Sequence, residues 1–128
     1  MISDRTFELH GIRVLECGAE GALLRNDRDA VELINAMWNH RANFLVIPIQ
    51  RLGDDFFRLK TRIAGEIIQR FVIYKVRIAI VGDISRYVAE SSALRDFVYE
   101  SNRGGQVWFV ASVEELGRRL QRAPAAGF

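Results

Sequence analysis

Val76-Arg77-Ile78-Ala79-Ile80-Val81-Gly82-Asp83-Ile84-Ser85 is the stretch that decides the fold. Val76, Ile78, Ile80 and Val81, with Ala79 among them, are apolar and largely β-branched, the composition of a strand buried on both faces. The run stops at Gly82-Asp83, where a glycine and a carboxylate end the strand and open a loop.

Upstream, Phe44 to Ile49 (FLVIPI) is a second core strand. Pro48 cannot donate to a ladder, so this strand is expected to end near Ile47 or to have an edge there. Between the two strands, Asp54 or Asp55 can cap a helix running to about Phe71, with Phe56, Leu59, Ile63, Ile67, Ile68 and Phe71 as its buried stripe. Gly65 lies inside it, where close packing is the expected reason for a glycine. Nearer the N-terminus, Thr6–His10 and Ile12–Cys17 read as two short strands in a tight hairpin around Gly11, or as one bulged strand. A first helix is expected from about Arg28 to Asn39, capped by Asn26 or Asp27.

Downstream, a polar loop is expected as far as Ser91 or Ser92, which caps a helix carrying Leu94, Phe97 and Val98. Asn102-Arg103-Gly104-Gly105 is expected to end that helix with left-handed backbone angles. Val107 to Ala111 is another strand, and Ser112 with Glu115 forms a capping box for a last helix, Val113 to Gln121. Strands alternating with helices indicate βαβ units. The expectation is an α/β fold, a small mostly parallel mixed sheet of four or five strands with about four helices.

The 128 residues, 49 % of them hydrophobic, suffice for one core, which gives a single domain over 1–122 and a loose tail over 123–128. No apolar run reaches a membrane span, and the N-terminus has no apolar signal core, so a cytoplasmic location and no membrane partner are expected. The net charge is +2, with arginines spread among acids. Nucleic acid is therefore not an expected partner, and the densest basic patch, Arg118–Arg122, reads as a solvated helix face. Cys17, the only cysteine, excludes an intrachain disulfide and a cysteine-cluster metal site, and reads as a small buried apolar group. No phosphate-binding glycine loop or nucleophile elbow is present, and no cofactor is implied.

In an open α/β sheet, ligands bind at the C-terminal ends of the strands. Two acidic turns are expected there, Gly53-Asp54-Asp55 and Gly82-Asp83. If the two core strands are neighbours, these share one edge with Ser85, Arg86 and Tyr87, and Arg51 and Arg58 reach the same rim. The bland alternative is that the aspartates only cap a helix and satisfy loop N–H groups.

The strings DDFFRLKTRIAGEIIQRFVIYKVRIAIVGDIS (Asp54–Ser85) and SALRDFVYESNRGGQVWFV (Ser92–Val110) resemble the bacterial family of domains of unknown function DUF4180. That resemblance brings no established activity. It implies a layout similar to the anti-sigma-factor-antagonist fold (STAS, SpoIIAA-like), whose members bind proteins and in some cases small ligands. The antagonists' phosphorylatable hydroxyl has no counterpart at Gly53-Asp54-Asp55-Phe56. Two functional expectations follow. The first is a non-catalytic regulatory or protein-interaction module presenting the helix that starts at Asp54, with Asp55, and the Gly82–Tyr87 loop to a protein partner. The second is a small-ligand or metal-binding sensor or enzyme using Asp54, Asp55 and Asp83 as metal or acid–base groups. A homodimer is a third, through the exposed side of the first strand or through Tyr99 and Trp108.

Overall fold

The computed structural model describes residues 4–122; the tail expected over 123–128 lies outside them. Five strands form one sheet in chain order: β1 (Arg5–Leu9), β2 (Ile12–Glu16), β3 (Phe44–Pro48), β4 (Arg77–Val81) and β5 (Val107–Val110). β1 and β2 are antiparallel, and every later pair is parallel. The expected hairpin is present: His10 (φ +51°) and Gly11 (φ +82°) are both left-handed, as a two-residue type I′ turn requires. Five α-helices accompany the sheet: α1 (Asp27–Asn39), α2 (Ile63–Ile73), α3 (Ser85–Glu90), α4 (Ser92–Arg103) and α5 (Val113–Arg122).

The period-two alternation of each strand divides the core into two. On the front face, Leu15, Leu45, Ile47, Ile78, Ile80 and Phe109 are buried with Ile34, Ile67, Phe71 and Leu94 from α1, α2 and α4. On the back, Val14, Phe44, Val46, Ala79, Trp108 and Val110 meet Leu116 and Leu120 of α5. β4 is thus buried on both faces, as VRIAIV predicts. Arg77, at its start, donates from Nε to the Gly105 carbonyl at 2.9 Å and lies over the rings of Phe44 and Trp108. The basic patch near the C-terminus is not simply solvated. Arg119 stacks on Trp108, 4.1 Å from the ring centre, and donates to the Asn102 carbonyl. Trp108 itself is 4 % exposed and donates its indole N–H to Gly104, which removes it as an outward contact.

Three local expectations are corrected. The helix expected from Asp54 begins only at Ile63, preceded by two 3₁₀ turns, Asp54–Phe57 and Leu59–Thr61, and by Arg62 in the left-handed region. The Thr61 hydroxyl shares its one proton between the carbonyls of Asp55 and Arg58, which a continuous helix would have offered to the N–H groups of Leu59 and Arg62. The tight turn also lets consecutive Phe56 and Phe57 both point inward, edge to face at 5.1 Å. The loop expected before Ser91 instead contains α3, less than two turns long. Gly104, which ends α4, is extended (φ −86°) rather than left-handed. Left-handed ends occur after α1 and α2 instead. There Arg41 and Lys75 close paired bonds, Ala42 N–H to Met37 and Val76 N–H to Phe71, the Schellman pattern without glycine. Ser91 and Ser112 cap α4 and α5 through the N–H groups of Leu94 and Glu115, as expected.

Gly65 departs from the expected close packing: nothing lies within 4 Å of where its Cβ would be. Helix propensity alone then sets the effect of Gly65→Ala, which is expected to stabilise the fold by about 1 kcal/mol in urea denaturation.

Candidate functional site

β3 and β4 are paired in register to their ends, Pro48 opposite Val81, so the turns that follow them emerge at one edge of the sheet. Gly82 makes this possible. Its φ of +146° is open to glycine, and a Cβ there would lie 2.6 Å from Ile49 Cγ1. The chain then turns through Asp83 into α3, which faces the Asp54–Phe57 turn across a cleft.

Asp54, Arg86 and Tyr87 converge on one point. The Tyr87 hydroxyl donates to Asp54 Oδ1 at 2.6 Å, and Arg86 Nη2 donates to the same oxygen at 3.1 Å and to the Tyr87 oxygen at 2.6 Å. Phe57 stacks on Tyr87 with ring centres 4.3 Å apart and planes 12° from parallel, and the Arg86 guanidinium covers the ring at 4.6 Å. The hydrogen bond from Tyr87, and then the charges of Arg86 and Arg58, hold the Asp54 carboxyl below the usual carboxylate range. Arg58 in turn pairs with Asp55 at 3.1 Å.

Around this triad is an open cleft of about 480 Å³, bordered by Arg58, Lys60, Arg86 and Glu90 and walled by Leu59 and Ala93. A second hollow of about 530 Å³, lined by Leu23, Phe56 and Ile63, shares Asp54 and Arg58 with it, so the two meet at a common ridge.

The remaining residues singled out from sequence are placed differently. Arg51 is 8 % exposed and turned away from the cleft, donating to the carbonyls of Ala22 (2.6 Å) and Gly18 (3.1 Å) and pinning the 18–25 loop. Asp83 is spent locally: its Oδ1 accepts from the Ser85 N–H at 2.9 Å, and the hydrogen bonds from Ser85 lower its pKa. Phe57, Leu59, Lys60 and Glu90 complete the cleft and were not among the expected residues. The only available signal for them was the placement of an aromatic pair and two charges on either side of Asp54 and Tyr87. No cluster of three or more His, Cys, Asp or Glu side chains able to hold a metal occurs among the described residues. Cys17 is buried, and that burial pushes its thiol up to about 12, far from a reactive thiolate at neutral pH.

The model of the domain of unknown function DUF4180 matches residues 9–120, nearly the whole chain. The protein belongs to the DUF4180 family. Every residue of the cleft lies within the DUF4180 match. No curated protein and no solved structure matches the chain. No helix among the described residues is long and apolar enough to cross a membrane.

Proposed function

We propose that this DUF4180 protein is a non-catalytic binding module, whose cleft between the Asp54–Thr61 turns and α3 receives a segment of a protein partner. One observation carries the reading: the cleft is bordered by three cations that keep donors to spare. Arg58 bonds through Nη1 only and Arg86 through Nη2 only, while Lys60 has no partner among the described residues. An arginine offers five N–H donors, so both forks retain most of their capacity for carboxylate or carbonyl oxygens of an incoming chain. The Phe57–Tyr87 stack beneath them supplies a rigid aromatic floor, the kind of group that anchors interfaces.

Acid–base chemistry at the same place is disfavoured by Asp54 itself. A base works best with a pKa near the operating pH, and the bonds from Tyr87 and Arg86 drive this carboxyl the other way. A metal would lack a ligand set of the usual size among the described residues.

We read the fold as STAS-like (SpoIIAA-like), supported by a mixed sheet with one antiparallel edge hairpin and four helices on one face, and the setting as cytoplasmic. The reading does not extend to a phosphorylation switch. Residues 53–56 carry no hydroxyl, and the one proton of the Thr61 hydroxyl is directed at the carbonyls of Asp55 and Arg58.

A photo-crosslinking residue in place of Ala93, inside the cleft, is expected to trap a protein partner in cells, whereas the same residue in place of Tyr99 traps none. Arg86→Glu should abolish the adduct with thermal unfolding unchanged. An adduct that survives in both Arg86→Glu and Arg58→Glu overturns the assignment.

A further inference from the structure

We propose that a second copy of this chain pairs with the outer edge of β1, in an antiparallel two-fold arrangement centred on Phe7, to make a continuous ten-stranded sheet. The two edges of the sheet are treated differently. At β5, the Asn102 side chain imitates a neighbouring strand: its amide donates to the Phe109 carbonyl at 3.2 Å and its oxygen accepts from the Phe109 N–H at 2.7 Å. That covers the outward pair of Phe109 on a four-residue strand.

The β1 edge has no such cover among the described residues. In a two-residue hairpin the residues flanking the turn, here Leu9 and Ile12, exchange both ladder bonds. Alternation then turns the backbone groups of Leu9, Phe7 and Arg5 toward β2, and those of Glu8 and Thr6 outward. The outward groups have no backbone partner among the described residues. On the back face, Phe7 and Leu9 are only partly buried against the core, at the margin of what α5 covers.

The strand complements itself in one register, and charge selects which. Opposite residues of an antiparallel ladder share a face, so a two-fold pairing of β1 with itself must be centred on a residue. Centring on Thr6 sets Glu8 opposite Asp4 of the second copy, and centring on Glu8 sets it opposite its own equivalent; both place like charges together. Centring on Phe7 pairs Thr6 with Glu8, Arg5 with Leu9 and Phe7 with Phe7. This register has no like-charge pair directly opposite, joins the outward N–H and C=O groups of Thr6 and Glu8, and adds an aromatic cross-strand pair. It is independent of the cleft, which lies beyond β3 and β4.

Sedimentation velocity at about 100 µM should show twice the chain mass, the range in which a small, weak interface is populated. Glu8→Pro removes an outward N–H without breaking a β1–β2 bond, so it should give a monomer that still unfolds cooperatively. Thr6→Glu sets like charges opposite one another, and should weaken the dimer at least about tenfold, with salt restoring part of the loss. A wild-type monomer overturns the proposal. So does a dimer indifferent to Thr6→Glu, whatever Glu8→Pro does to folding.

Discussion

Gly82→Ala is expected to cost about 3 kcal/mol in urea denaturation, from backbone strain and overpacking of roughly 1–3 kcal/mol each. Two independent features of the position combine. The φ of +146° lies in a region that L side chains rarely adopt, and three carbons of Ile49 lie within 2.9 Å of the new Cβ. Escape by rotating the backbone is closed, because the Gly82 N–H bonds the Val110 carbonyl at 3.0 Å and ties β4 to β5. The double variant Gly82→Ala, Ile49→Ala separates the terms. It relieves the clash and leaves the strained φ, so a further deficit that φ accounts for should remain beyond the cost of Ile49→Ala alone. A Gly82→Ala protein as stable as the wild type would show that the β4 exit is more plastic than its bonds imply.

Arg51→Met is expected to cost about 2–3 kcal/mol, the range for losing buried hydrogen bonds from a charged donor. Methionine keeps much of the side-chain length and removes the guanidinium. The Ala22 carbonyl loses its side-chain donor, the Gly18 carbonyl keeps only the Gly21 N–H at 3.2 Å, and the groove against Gly21, whose Cβ position lies 2.5 Å from Arg51 Cζ, is left half filled. Hydrogen exchange over residues 18–25 should accelerate, while that of β4 changes only with global stability. Leu23 and Leu24 line the second hollow, so its shape depends on an arginine that never touches it. Unchanged exchange in this loop would mean that its remaining bonds, Leu24 N–H to the Arg51 carbonyl at 2.8 Å and Gly18 N–H to Asp4 at 2.7 Å among them, hold it without the guanidinium.

The strands were legible because their signal is local. Runs such as FLVI and VRIAIV cannot be exposed on either face, and βαβ connectivity follows from their alternation with amphipathic helices. The 54–62 segment was not legible as turns, because apolar spacing there fits a helix; what breaks it is the Thr61 hydroxyl and the burial of two adjacent phenylalanines. At the site, the shared edge of the two acidic turns follows from β3 being the neighbour of β4. The meeting of Asp54 with Tyr87 does not, since it joins residues 33 apart through a helix too short to announce itself. Arg51 is the plainest case. A basic residue beside an acidic turn reads as a rim cation, and only tertiary structure places its guanidinium among inward-facing carbonyls.

The lone helix on the back of the sheet has a consequence for how the chain is made. Four helices arrive on the front face in step with the strands they join, but the back face waits for α5, the last described element. During synthesis the ribosome therefore releases a sheet whose Val14, Phe44, Val46, Ala79 and Trp108 lie bare until Leu116 and Leu120 emerge. A chain cut short before Val113 would keep the front core but leave the back face bare and sticky, a substrate for chaperones and proteases rather than a smaller working domain.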